Sequence, residues 1–298
     1  MSIFKDINTI YAATVVKWNL NILEKDQAQK LLESTYSDSY YYHKHNKLHL
    51  YRADAMNIDY GIVIPGIRAS ADTTNVYNRL ISDVLPSWKQ WPKRNNSIIF
   101  TSSYRAVTHY KDNVDGYIYN IFPYNSAKIV VCPTTDMWDA FENNFNGQGL
   151  NYIEDQLLRF ISTAYFLATN TDIAKTLDTY RDHLDSGQSD VVFKHIKRVF
   201  LGGSNAEINN IINVINNYDI INDAVLNDVS GFRKYFISKM KDYKLSFMQL
   251  LDYLFAPENN GFRMVDNITD LVTITNGDHY GYEMWTNSDC LFAKENSV

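Results

Sequence analysis

Between residues 47 and 132 the chain repeatedly alternates apolar and polar positions over short stretches, each closed by a turn residue or by a change to helical spacing. KLHLYRAD sets Leu48, Leu50 and Arg52 against His49, Tyr51 and Ala53, a period of two that predicts a strand. DTTNVYNRLISDVL opens on the capping residue Asp72 and spaces Val76, Leu80, Ile81 and Val84 as a helix, which Pro86 stops. SIIFTSS then reads as a strand and YRAVTHYKD as a short helix. GYIYNIFP and SAKIVVCP read as two strands separated at Pro123 and Asn125. Ahead of these, EKDQAQKLLEST places Ala28, Leu31 and Leu32 at helical spacing among good helix formers, so residues 1–46 are expected to be a helical segment.

From 150 to about 256 the period changes to i, i+3, i+4 throughout, as in NYIEDQLLRFISTAYFLA and LSFMQLLDYLF. Strand texture returns with LVTIT at 271, the turn signal Asn276-Gly277, GYEMWTN and CLFAK. The expected fold is α+β, with a split, mixed β-sheet. Its first part spans 47–149, a helical subdomain is inserted at 150–262, and the strands of 263–298 complete the sheet.

Composition narrows the function. The 298 residues are 45% hydrophobic and 21% charged, which excludes a disordered or low-complexity chain. A formal net charge of -6 disfavours a protein held to nucleic acid chiefly by phosphate neutralisation. Two distant cysteines, Cys132 and Cys290, give neither a zinc ribbon nor a disulfide framework, and no long apolar run suggests a membrane span or leader. A reducing, cytoplasmic setting is expected. The 22 Tyr and 31 Asn, both with AT-rich codons, point to an AT-rich genome, and for a phage-encoded chain the setting would be host cytoplasm or a virion.

Phosphate-loop, GxGxxG, HExxH and GxSxG motifs are absent. His43 and His45, which could share a strand face, and His49 are conceivable metal ligands, but no further ligand or nearby carboxylate accompanies them, and a solvated loop is the expected reading. Asp136, Asp139 and Glu142 read as a solvated helix start. SWKQWPKR, with Trp88, Trp91, Lys89, Lys93 and Arg94, could stack on and neutralise a nucleotide or nucleic acid, or simply link a helix to a strand.

Three separated segments carry the main candidate chemistry: Tyr51-Arg52 in HLYRAD, Thr101-Ser102-Ser103 in IIFTSSYRAVTHY, and Glu283 in GYEMWTNSDCLFA. An arginine strand, a hydroxyl cluster followed by a helix with Ala106 and Tyr110, and a late glutamate strand resemble the R-S-E class of ADP-ribosyltransferases. The resemblance covers about 47–132 and 271–294. It implies that fold, NAD as substrate, no metal, and transfer of ADP-ribose to a macromolecular acceptor, a protein first, with nucleic acid left open. Glu283 is then the catalytic carboxylate that stabilises an oxocarbenium-like ribose. Arg52 contacts the diphosphate, Thr101, Ser102 and Ser103 orient Glu283, and Tyr51, Tyr104 or Trp285 stack on a ring, with Tyr110 bordering the cleft. The position two before Glu283, acidic in arginine-directed members, is Gly281, so the resemblance does not point to arginine as acceptor. NAD glycohydrolase activity is a near neighbour. The competing class is a non-enzymatic, virion-associated or interaction protein on a sheet scaffold.

Overall fold

A computed structural model of the chain describes residues 19–66, 76–145, 178–183, 190–194, 238–275 and 281–298, with single positions at 158, 186, 188 and 197. The described residues fall into two compact units. One draws on 1–72, 90–140 and 260–298, and the other on 73–89 and 141–259.

The first unit is built on a nine-stranded sheet. Its strands are β1 (Asn19–Ile22), β2 (Tyr51–Asp54), β3 (Tyr60–Ile64), β4 (Ile98–Thr101), β5 (Tyr117–Pro123), β6 (Ile129–Val131), β7 (Arg263–Val265), β8 (Glu283–Thr286) and β9 (Cys290–Lys294). They lie in the order β1-β3-β9-β5-β2-β4-β8-β6-β7. Every pairing is antiparallel, which corrects the expectation of a mixed sheet. The last two strands in sequence are interior: β9 lies between β3 and β5, and β8 between β4 and β6.

Alternation along the strands divides the core between the two faces. Leu50, Phe100, Tyr119, Met284 and Phe292 pack on one face with Ile268 and Leu271 of the helix α6 (Ile268–Thr275). Phe122, Leu291 and Ala293 pack on the other with Ala28 and Leu32 of α1 (Lys25–Leu32), and with Tyr36 and Tyr40 before and within α2 (Ser37–Lys44). Each fully buried Leu or Phe contributes roughly 1.5–3 kcal/mol of transfer free energy.

Three expectations are corrected. The segment before residue 46 is not wholly helical, because Asn19–Ile22 forms the edge strand β1 against β3. LVTIT is not a strand but the body of α6. Its buried positions Ile268, Leu271 and Thr275 follow helical spacing, and the Thr273 and Thr275 hydroxyls bond back to the carbonyls of Thr269 and Leu271. His43 lies in α2, so it shares no strand face with His45.

The second unit contains α3 (Val76–Asp83) and α5 (Phe247–Phe255). Ser246 and Gln249 cap α5 reciprocally, and Trp88 Nε1 donates to the Phe255 carbonyl at 2.8 Å. Residues 178–183, 190–194 and 238–243 are helical as their spacing predicts. The Asp72 cap, most of the expected helices between 150 and 237, and the Asn276-Gly277 turn lie outside the described residues. No described helix is long and apolar enough to cross a membrane.

Candidate functional site

The strands carrying the three candidate segments, β2, β4 and β8, are consecutive neighbours in the sheet. Tyr51 pairs with Thr101, and Thr101 with Glu283. Directly paired residues of antiparallel strands share a face, so Tyr51, Thr101 and Glu283 form one cross-strand row. Below Thr101 the strand gives way to α4 (Tyr104–Val114), with Ser103 as N-cap: its Oγ accepts the Ala106 N–H at 3.1 Å. The Thr101 Oγ1 in turn accepts the Ser103 N–H at 3.1 Å, and Ser102 is buried. Tyr104 stands exposed at the start of α4, edge-on to Tyr51 with ring centroids 5.4 Å apart.

Arg52 does not join this row. As the neighbour of Tyr51 it belongs to the opposite face, the one that buries Leu50, Phe100 and Met284. There its Nε pairs with Asp54 at 3.2 Å and its Nη1 donates to the Ile99 carbonyl at 2.7 Å. Tyr51↔Thr101 is the one residue pair joining β2 to β4, so the guanidinium is a second clamp between these strands. Convergence of Arg52 and Glu283 in one cleft is therefore not what the sheet register provides. Trp285 is fully buried, donating from Nε1 to the Pro92 carbonyl at 2.9 Å and packing on Phe262, so no incoming ring reaches it. Tyr110, farther along α4, is exposed near His109.

Glu283 is held on all sides. Its Oε1 accepts from Arg94 Nε at 2.8 Å and its Oε2 from the Met137 N–H at 3.3 Å. Its own N–H donates to the Thr134 carbonyl, and its carbonyl accepts from the Cys132 N–H. The loop after β6 thus wraps the glutamate. Both charged side chains are about nine-tenths buried, and the Arg94 guanidinium also lies 5.7 Å from the Trp138 ring centre. Burial acts to lower the Arg94 pKa, but the Glu283 charge and hydrogen bond outweigh it, and the net direction is up. Arg94 belongs to SWKQWPKR, for which the sequence leaves open a nucleotide-facing segment or a packed link. Trp88 and Arg94 are buried, so they pack as a link, while Lys89 and Lys93 are exposed.

Asp136 also departs from expectation, being half-buried beside this pair and not part of a solvated helix. Its Oδ1 accepts the Trp138 N–H at 2.9 Å. Burial first, and the Glu283 charge second, raise its carboxyl above the usual range. A raised folded value means that the carboxyl's stabilising contribution is complete below the ordinary aspartate range and is lost as pH rises through the raised value. Asp136→Asn keeps the acceptor oxygen without the charge. It is expected to raise the unfolding midpoint at pH 7 more than at about pH 4, where an unfolded aspartate is half protonated. Equal shifts in thermal melts at the two pH values would remove this account.

Fold and site together define an α+β protein with a nine-stranded antiparallel sheet that buries an Arg-Glu pair beside a hydroxyl-capped helix. No protein-family model, curated protein or solved structure matches the chain.

Proposed function

We propose that the chain is an NAD-dependent ADP-ribosyltransferase that moves ADP-ribose to a macromolecular acceptor, a protein first, and releases nicotinamide. One observation carries the reading: the arginine, hydroxyl and glutamate strands, distant in sequence, are neighbours in the sheet, with Tyr51, Thr101 and Glu283 in one row. In this reading Glu283, fixed by Arg94 and the Met137 N–H, offers negative charge to the oxocarbenium-like ribose as the nicotinamide bond breaks. Thr101 lies beside it, and Tyr51 and Tyr104 offer ring surface to nicotinamide or adenine. Arg52 acts through the sheet, holding β2 to β4, and not as a diphosphate ligand.

A second reading, an interaction protein on the same scaffold, is favoured by the 7% exposure of Glu283 and its two bonded oxygens. Labelled NAD separates the two. Incubated with host lysate, the protein is expected to release nicotinamide and label macromolecules, and Glu283→Gln, checked for folding by circular dichroism, to lower both by about 10²–10³. Nicotinamide release without label makes it a glycohydrolase. Neither signal, with no NAD binding, leaves the interaction protein.

A further inference from the structure

The stretch YYYHKHNKLH, expected from its polarity to be a solvated loop, turns back on itself beside the row just described. α2 ends in His43 and Lys44, and Asn46 reverses the chain at φ 51°. The Lys47 N–H then donates to the Tyr42 carbonyl at 2.9 Å. The reversal sets His49 against His43, with their Nδ1 atoms 3.0 Å apart. His49 alternates with the core residues Leu48 and Leu50, so it lies on the face of Tyr51, Thr101 and Glu283. Its ring is parallel to that of Tyr51, with an interplanar angle of 6° and centroids 6.0 Å apart.

A ledge of rings, His49, Tyr51 and Tyr104, is thus bordered by a turn whose Lys44, His45 and Lys47 are exposed. Resting on the NAD reading above, we infer that this turn, with His49 at its inner end, receives the dinucleotide's diphosphate while the ledge supports a ring. The residue first assigned to the diphosphate, Arg52, is on the other face. His49 is on the right one, and the turn that leads into it carries the exposed Lys47 and a Lys44 seated over the Tyr40 ring.

The groups around His49 decide its pH behaviour. They are His43 and Lys44 from the end of α2, His45 at its cap, Lys47 from the turn, Tyr51 from its own strand, raised by burial and then by Glu295, and Tyr104 from α4, raised first by its hydrogen bond to Glu295 just after β9. Burial first, then the neighbouring His49, lower His43 to about 4. A neutral His43 can accept at Nδ1 the hydrogen bond that His49 Nδ1–H donates. An imidazole beside a diphosphate binds it best as the cation, so NAD binding is expected to weaken as pH rises.

Calorimetric titration of the full chain with NAD and with nicotinamide riboside, which lacks the diphosphate, tests this at about pH 5.5 and 8. NAD affinity is expected to fall several-fold between the two, while the riboside is indifferent to pH. His49→Gln is expected to bind NAD about fivefold more weakly at the lower pH, as for loss of one charged hydrogen bond, and to show a smaller pH dependence. Lys47→Gln, at an exposed position that does not threaten folding, is expected to weaken NAD but not riboside. Unchanged NAD affinity in both variants overturns the turn's role while leaving the NAD reading in place. A wild-type chain that binds no NAD at either pH overturns that reading as well.

Discussion

Replacing Arg94 by alanine is expected to cost the sheet unit about 3–5 kcal/mol of stability, the penalty for leaving a buried charge without its partner. Glu283 is as enclosed as Arg94, with 9% of each side chain exposed, and water cannot take over the lost hydrogen bond. Its second oxygen keeps the Met137 N–H, so the loop from Cys132 to Trp138 stays attached while its centre carries an uncompensated carboxylate. Arg94→Lys should fall between wild type and alanine. It keeps the charge but loses the planar fork that reaches Glu283 from Nε and lies near Trp138. Joint replacement of Arg94 by Met and Glu283 by Leu should recover most of the loss, because a buried pair contributes little net stability over apolar residues of similar size. Urea melts of the three variants decide it. A cost below about 1 kcal/mol for Arg94→Ala would mean that the pair is solvated and behaves as a surface ion pair.

The same design separates structure from chemistry. If the pair serves only the fold, the double replacement restores everything the protein does, including any partner binding. If Glu283 acts on NAD, the double variant is folded but inactive. Stability and label transfer therefore move together in the first case and apart in the second.

How much of this was legible in the sequence differs by residue. β4, α4, β5, β6, β8 and β9 were readable because alternation, the Ser103 cap and the Pro123 and Asn125 breaks are local signals. α6 was misread because ITDLVTIT is rich in β-branched residues, whose strand preference is a matter of context. Burial of Ile268, Leu271 and Thr275 at helical spacing overrode it. β1 and β3 were not seen, since NLNI and YGIVI are short and β3 takes β9, more than 200 residues away, as its partner. In the site, Glu283 was legible as an acid with no local reason to sit in an apolar strand. Its partner was not, because Arg94 lies 189 positions earlier, in a segment whose tryptophans and lysines suggest an exposed patch. The face of Arg52 depended on register, which a single residue of slip reverses.

Gly281→Ala is expected to destabilise the protein by about 1–3 kcal/mol, as overpacking does, because an added Cβ meets the Ser103 Cβ at 2.3 Å and its Oγ at 3.0 Å. The segment entering β8 runs directly over the cap of α4, and neither side has room to yield without disturbing the Ser103 bond to Ala106. Ser103→Gly removes the clashing atoms and, as a cap replacement, costs only a few tenths of a kcal/mol alone. Combined with Gly281→Ala it should recover most of the loss, giving a favourable coupling of about 1–2 kcal/mol between two positions 178 apart. The consequence reaches function. An acidic side chain at 281, which arginine-directed transferases carry, has no space beside Ser103, so if the chain transfers ADP-ribose its acceptor should not be arginine. Gly281→Ala with wild-type stability, or a double variant no better than the single one, would show that the β8 entry and the α4 cap do not touch, and would reopen position 281 to an acid.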